Sequence, residues 1–200
     1  MGRAVTVDLF PDEDGNTPLS HEEKMGLIPT WITLRHELNE VEQANILEGE
    51  RWAFSRDRDV LDESFLRALH KQMFGQIWSW AGDYSGEKNR RIGSDGVMIP
   101  IDLRQLLDDT RYWVENRIYS PDEIAVRFHH RLVLIHPFPN GNGRHGRLAA
   151  DLVVTRLGAP RFTWGRISLI DPGEARNRYV AAQRAADGHD IEPLLAFARL

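Results

Sequence analysis

The 200-residue chain contains no cysteine, which excludes disulfide bonds, thiolate metal sites and a cysteine nucleophile. It has no apolar run close to a membrane span and no signal-peptide segment near residue 1, so we expect a cytoplasmic protein with no membrane association. It also lacks an excess of positive charge. The formal net charge of −5 argues against non-specific binding of nucleic acid.

Apolar residues that recur at helical spacing predict a mainly α-helical domain over residues 20–200. Residues 1–19 are polar and rich in turn residues, so we expect a flexible N-terminal arm there. The strongest helix start is Ser120-Pro121-Asp122-Glu123, because it combines a capping side chain, an initial proline and early acidic residues. The predicted helices cover approximately 30–47, 62–77, 102–118, 120–135, 143–157, 172–186 and 191–198. Ser94-Asp95-Gly96 between two β-like pieces predicts one hairpin.

Residues 136–147, His-Pro-Phe-Pro-Asn-Gly-Asn-Gly-Arg-His-Gly-Arg, form the most informative segment of the chain. Its two prolines should end the preceding helix and leave His136 beside the loop. The glycines allow consecutive backbone N–H groups to converge at the start of the next helix, an arrangement that favours anions. Arg144 and Arg147 are spaced to share one helix face, where two guanidinium groups can bind phosphates.

A neutral histidine beside such a phosphate site can accept a proton from an attacking hydroxyl. The segment therefore predicts phosphoryl or nucleotidyl transfer. The alternative interpretation is a glycine-rich connection between two helices, with both arginines paired to surface acids.

The same segment resembles the signature of Fic-domain (Fido) proteins, His-x-Phe-x-Asp/Glu-Gly-Asn-Gly-Arg-x-x-Arg, and departs from it only at Asn140. Leu69-His70 through Gly82 resembles the family's helix leading into its β-hairpin flap, and Arg178-Tyr179 through Phe197 resembles its last helices. The whole chain resembles the subgroup called mobile mystery protein B, a bacterial Fic-like protein found with mobile elements. The implied fold is a helical bundle with a β-hairpin flap.

This resemblance implies a protein adenylyltransferase, which transfers AMP from ATP to a Ser, Thr or Tyr hydroxyl of a target protein. His136 would be the general base, and Phe138 the buried anchor of the loop. The hairpin over 88–98 would hold an extended target segment by strand addition. The nucleotide phosphates would be bound by Gly141, Asn142, Gly143, Arg144 and Arg147, with Asn142 at the α-phosphate, Arg144 at the β-phosphate and Arg147 at the γ-phosphate.

The family's acid at the position of Asn140 holds the Mg²⁺ or Mn²⁺ that bridges the phosphates. Magnesium prefers anionic oxygen, so an asparagine here predicts weaker metal binding. Asparagine also suits a turn cap, and both roles for Asn140 remain open.

Residues 44–49 resemble the family's inhibitory pattern Ser/Thr-x-x-x-Glu-Gly/Asn at Glu48 and Gly49. The resemblance implies that Glu48 pairs with Arg147 and competes with phosphate for the same guanidinium group. The alternative is a solvated glutamate on a helix surface.

Three other functions remain open: a non-catalytic module that binds nucleotide or protein, an ATP-dependent phosphotransferase like the Doc branch of the fold, and a regulator that acts with mobile DNA. The sequence shows no helix-turn-helix motif to support the third. A zinc site is not expected, because adjacent His129 and His130 point about 100° apart on a helix. The oligomeric state is open, with a homo-oligomer among the alternatives.

Overall fold

The computed structural model describes residues 24–86, 93–165 and 172–200. The predicted arm over residues 1–19 lies outside the described part. Most of the described chain is helical: α1 (Arg35–Phe54), α2 (Glu63–Phe74), α3 (Ile99–Glu115), α4 (Pro121–Ile135), α5 (Asn142–Arg156), α6 (Pro172–Asp187) and α7 (Glu192–Arg199). The predicted mainly α-helical class is confirmed.

Local capping sets where several helices begin. Ser120 Oγ accepts from the amide of Glu123 at 3.3 Å, so α4 starts as its sequence predicts. Asp62 caps α2 through the amide of Phe65 at 3.1 Å. At α1, the carboxylate of Glu37 accepts a hydrogen bond from the Leu34 amide at 3.0 Å and so caps the helix. The helix therefore begins at Arg35, later than the predicted residue 30.

Helix α3 begins at Ile99, three residues before the predicted Asp102, and carries Pro100 in its first turn. Proline suits this position because its fixed φ is helical and its missing N–H would have no helical partner there. The predicted hairpin lies partly on residues 87–92, outside the described part of the chain. Residues 93–98 form a bend and turns, and the described residues show only an isolated bridge between Leu27 and Trp78.

Helices α4 and α5 pack together and support the segment between them. Alanines such as Ala125, Ala149 and Ala150 are fully buried, which is consistent with a close approach of these helices. Helices α3 and α7 flank α4, while α1 packs on α2 and both contact α5. The signature segment is thus held on a packed scaffold. None of the described helices is both long and apolar enough to span a membrane.

Candidate active site

Helix α4 ends at Ile135, and His136 adopts a left-handed backbone with φ 54° and ψ 56°. Histidine is among the non-glycine residues that adopt this conformation most readily. The chain on both sides of residues 87–92 is tied to this turn: the Ser85 amide donates to Pro137 O at 2.8 Å, and the Ser94 amide donates to Ile135 O at 3.0 Å. The backbone of His136 is therefore held from two directions.

Phe138 is fully buried below the loop. Its ring stacks on that of His70, with centroids 3.8 Å apart. The side chain of Asn142 closes the loop over it: Oδ1 accepts from the Phe138 amide at 3.0 Å, and Nδ2 donates to Phe138 O at 2.8 Å. Both polar atoms of the Asn142 side chain are therefore engaged within the loop.

Helix α5 begins after Gly141, which has φ 78°. A Cβ atom at Gly141 would lie 2.7 Å from Phe74 Cζ, so both backbone conformation and space require glycine. Glycine has no side chain with which to cap the helix. The amides of the first turn of α5 therefore provide the partial positive charge of a helix N-terminus to an anion.

Arg144 and Arg147 extend from the first turns of α5, and each guanidinium lies over an aromatic ring. The Arg144 guanidinium is 4.9 Å from the ring centroid of Phe74, and that of Arg147 is 5.4 Å from the centroid of Tyr179. The Tyr179 hydroxyl is 3.0 Å from His129 Nε2 and 2.8 Å from Gln183 Nε2. These cation–π contacts help to fix the positions of the two guanidinium groups.

Helix α1 brings a carboxylate to this site that the sequence did not single out. Glu42 is only 8% exposed, and its Oε2 pairs with Arg144 Nη1 at 2.7 Å. Its Oε1 accepts from Trp78 Nε1 at 2.8 Å. Glu48, the predicted inhibitory residue, is exposed and accepts from Gln76 Nε2 at 3.1 Å.

Glu42 and Glu48 are six residues apart, so they point about 120° apart around α1. The sequence could not tell which of these faces meets α5. A buried glutamate that bonds to Trp78 marks Glu42 as a site residue, but its burial becomes visible only when the packing of α1 is known.

The side chain of Asn140 supplies a neutral amide oxygen, Oδ1. This atom accepts a hydrogen bond from the Gly141 backbone amide at 2.7 Å. The described residues contain no group of three or more His, Asp and Glu side chains that could ligate a metal ion. Because Mg²⁺ prefers anionic oxygen, Asn140 does not by itself fit a resident Mg²⁺ site.

Three buried histidines lie around the site, and burial is the main cause of the lowered pKa of each. The pKa of His129 falls to about 3 and that of His145 to about 4, while the pKa of His70 lies well below 6.5. Their rings are therefore neutral near pH 7. His129 and His130 are both buried, in line with their interpretation as core or cap residues.

Comparison with known families gives a match to the Fic/DOC family over residues 60–154. The protein adenylyltransferase Fic of Drosophila yakuba is 30% identical over 143 residues, which cover 70% of this chain and 26% of that relative. The chain thus matches about a quarter of the length of this curated relative.

Two solved structures show the same fold. The Fic-domain-containing signaling protein of Bacteroides thetaiotaomicron has a TM-score of 0.62 at 23% identity, covering 79% of this chain and 65% of that chain. The BepC protein of Bartonella tribocorum, solved with bound AMPPNP, has a TM-score of 0.67 at 18% identity, covering 90% of this chain and 97% of that chain.

Proposed function

Because the chain belongs to the Fic/DOC family through residues 60–154, we propose that it is a protein adenylyltransferase that transfers AMP from ATP to a protein hydroxyl. The observation that carries this proposal is the placement of His136 at the end of α4, six residues before α5 begins, together with Arg144 and Arg147 in the first two turns of α5. The activity named for the Drosophila relative supports it.

In the proposed reaction, the hydroxyl oxygen of a target Ser, Thr or Tyr attacks the α-phosphorus of ATP. His136 accepts the hydroxyl proton as the new P–O bond forms. The bond from the α-phosphorus to the oxygen bridging it to the β-phosphorus breaks, and diphosphate leaves. Arg144 and Arg147 stabilise the charge on this leaving group.

The amides of residues 141–143 would bind the α- and β-phosphates from the helix N-terminus, with the Gly141 amide exchanging its present acceptor, Asn140 Oδ1, for a phosphate oxygen. Phe138 would act as an anchor, since its buried ring fixes the loop from below. The target segment would lie along the chain on either side of residues 87–92, because Ser85 and Ser94 hold that chain next to His136. The mobile mystery protein B subgroup stays a prediction.

The proposal is tested by incubating the protein with α-labelled ATP, with Mg²⁺ and with Mn²⁺, and detecting label on protein. His136→Asn is the sharpest inactive variant, because asparagine tolerates the left-handed backbone at this position and cannot serve as the base. We expect label with the wild type and with the control His36→Ala, an exposed residue on α1, and none with His136→Asn.

The phosphotransferase and the non-catalytic module give different results in the same assay. Label transferred from γ-labelled ATP, and none from α-labelled ATP, would indicate a phosphotransferase. Nucleotide binding with no label from either source, with either metal, would indicate a non-catalytic binding module. Comparing Mg²⁺ with Mn²⁺ also tests the weak metal binding predicted from Asn140.

We also propose that α1 restrains the active site. The supporting observation is that the Glu42 carboxylate pairs with Arg144, the residue that is proposed to bind the β-phosphate of ATP. A carboxylate and a phosphate compete for the same guanidinium, so removal of the carboxylate charge should favour the nucleotide. The pairing of Glu48 with Arg147 would restrain the site in the same way, and it stays a prediction.

Both glutamates can be tested with isosteric substitutions. Glu42→Gln retains an oxygen for Trp78 but removes the charge opposite Arg144, and we expect ATP affinity to rise about three- to tenfold. Glu48→Gln should raise AMP transfer if its predicted pairing with Arg147 forms. Glu40→Gln, exposed on the same helix, is the control. Unchanged affinity and transfer in both variants would show that α1 does not restrain the site.

A further inference from the structure

His70 lies on α2, completely buried beneath the signature segment, and both of its ring nitrogens have backbone partners. Nδ1 accepts a hydrogen bond from the Gly82 amide at 3.0 Å. Nε2 lies 3.0 Å from the carbonyl oxygen of Asn140. A backbone amide can only donate and a carbonyl can only accept, so these partners require the neutral ring with its proton on Nε2.

The carbonyl that His70 holds belongs to the peptide bond between Asn140 and Gly141. Because a peptide unit is planar, fixing the direction of its C=O also fixes the direction of its N–H. That N–H, of Gly141, donates to Asn140 Oδ1 at 2.7 Å. One ring proton therefore sets the first amide of the anion-binding turn and the orientation of the Asn140 side chain.

We propose that His70 is a positioning residue for nucleotide binding: as a single neutral tautomer it clamps the Asn140–Gly141 peptide and so orients the phosphate-binding turn. This role rests on the proposed function only in that the turn binds nucleotide phosphates. His70 contacts no reacting atom and acts through the peptide that it holds.

Packing leaves the His70 ring little freedom to turn or to take up a second proton. It stacks on Phe138 with centroids 3.8 Å apart, and the rings of Phe74 and His145 lie 4.8 and 5.6 Å from it. A second proton on Nδ1 would face the Gly82 amide, which is itself a donor. Burial, His145 and Arg144 all lower the pKa of His70, while the bond to Asn140 opposes them.

The other side of the clamp is also fixed. The Gly82 carbonyl accepts from Arg67 Nε at 2.9 Å, and Gly82 has a left-handed φ of 89° that favours glycine. The His70 ring therefore connects the turn at Gly82, which Arg67 holds, to the phosphate-binding turn. A histidine that only filled the core would not need both of these partners.

Two substitutions at His70 distinguish its hydrogen bond to Asn140 O from its hydrogen bond to the Gly82 amide. Glutamine places an amide N–H near the position of Nε2 and can still donate to Asn140 O, whereas asparagine places an oxygen near Nδ1 and can still accept from Gly82. His70→Asn thus loses the contact that orients the phosphate-binding turn, and His70→Gln retains it. The same pair of substitutions at His130, a buried histidine on α4 that contacts Asp187, provides the control.

The first measurement uses the ligand-free protein. In ¹⁵N spectra of the imidazole rings, the signals lost in His70→Gln identify His70, and we expect an Nε2–H tautomer that does not titrate between pH 5.5 and 8. We expect the Gly141 amide to exchange with solvent about tenfold faster in His70→Asn than in the wild type, and at the wild-type rate in His70→Gln. An Nδ1–H tautomer, or a pKa near 6.5 for this ring in the wild-type protein, would overturn the proposal.

The second measurement is the affinity for AMPPNP, with thermal unfolding recorded for every variant. We expect about tenfold weaker AMPPNP binding in His70→Asn, and binding within about threefold of the wild type in His70→Gln. In the AMP-transfer assay, His70→Asn should show a higher KM for ATP and a smaller change in kcat. The His130 variants should change stability only. Equal affinities of the two His70 variants would overturn the proposal.

These outcomes are separable from a failure of the proposed function. Binding of AMPPNP without AMP transfer, in the wild type and in both Glu42→Gln and Glu48→Gln, would refute the adenylyltransferase, while the binding data would still decide the role of His70. A wild-type protein that binds no nucleotide would refute both.

Discussion

Gly141 and Gly158 mark the two ends of α5, and comparing them shows how much a single position can be constrained. Both have a left-handed backbone, with φ 78° and φ 83°. A Cβ atom at Gly141 would collide with the ring of Phe74, whereas nothing lies within 4 Å of a Cβ atom at Gly158. Backbone strain is therefore common to both positions, and close packing is specific to Gly141.

This difference predicts the result of alanine substitution at each glycine. Gly158→Ala should lower the free energy of unfolding by about 1 kcal/mol, the cost of a left-handed alanine. Gly141→Ala adds the collision with Phe74 and should cost about 2–4 kcal/mol in total, together with loss of nucleotide binding. Urea denaturation and AMPPNP titration measure both effects. Equal losses for the two variants would mean that Phe74 moves aside freely.

Among the helices, α4 has the most direct connection to the proposed chemistry, since Ser120 caps its start and His136, the proposed base, follows its last residue. The Ser120 cap stabilises one end, and near the other end Val133 packs closely on Gly146 of α5. These two contributions are separate because they act at opposite ends of the helix.

Ser120→Ala removes the cap and should lower the free energy of unfolding by about 1 kcal/mol. Since the α5 contacts remain, the affinity for nucleotide and the rate of AMP transfer by the folded protein should be unchanged. Chemical denaturation beside the transfer assay checks this, with the exposed Ser79→Ala as control. A loss of activity at full folding would show that the start of α4 is coupled to His136.

Across the whole molecule, burial of three neutral histidines couples folding to pH. His70, His129 and His145 are fully buried with pKa values below 6.5. The unfolded chain takes up protons at these residues as the pH falls through about 6.5, before the folded protein does. The unfolded state therefore binds more protons in this range, and stability decreases as the pH drops.

We expect the free energy of unfolding to fall between pH 6.5 and 5.5, by up to about 1.4 kcal/mol per pH unit for each histidine. His145→Gln should reduce this slope, because its amide can still donate to Leu66 O, the 2.9 Å partner of His145 Nε2, without titrating. Urea denaturation at a series of pH values measures the slope. A flat profile above pH 5.5 would contradict the burial of neutral histidines.

Much of the helical framework could be predicted from the sequence. The start and end of α4, the start of α5 near Gly143 and the last two helices lie within about two residues of their expected positions. Proline, glycine and capping side chains act on backbone only a few residues away, so their effects can be read locally. The start of α3 lies three residues before its predicted position, because Pro100 can occupy the first turn of a helix.

The sequence by itself determined the signature segment, its turn and the succession of helices around it. Only the tertiary structure decided which distant groups meet this segment: Glu42 at Arg144, His70 at the Asn140 carbonyl and Tyr179 beneath Arg147. The physical reason is that such contacts depend on which faces of separate helices pack together. That choice is made by burial of the whole core and cannot be read from the spacing within any one helix.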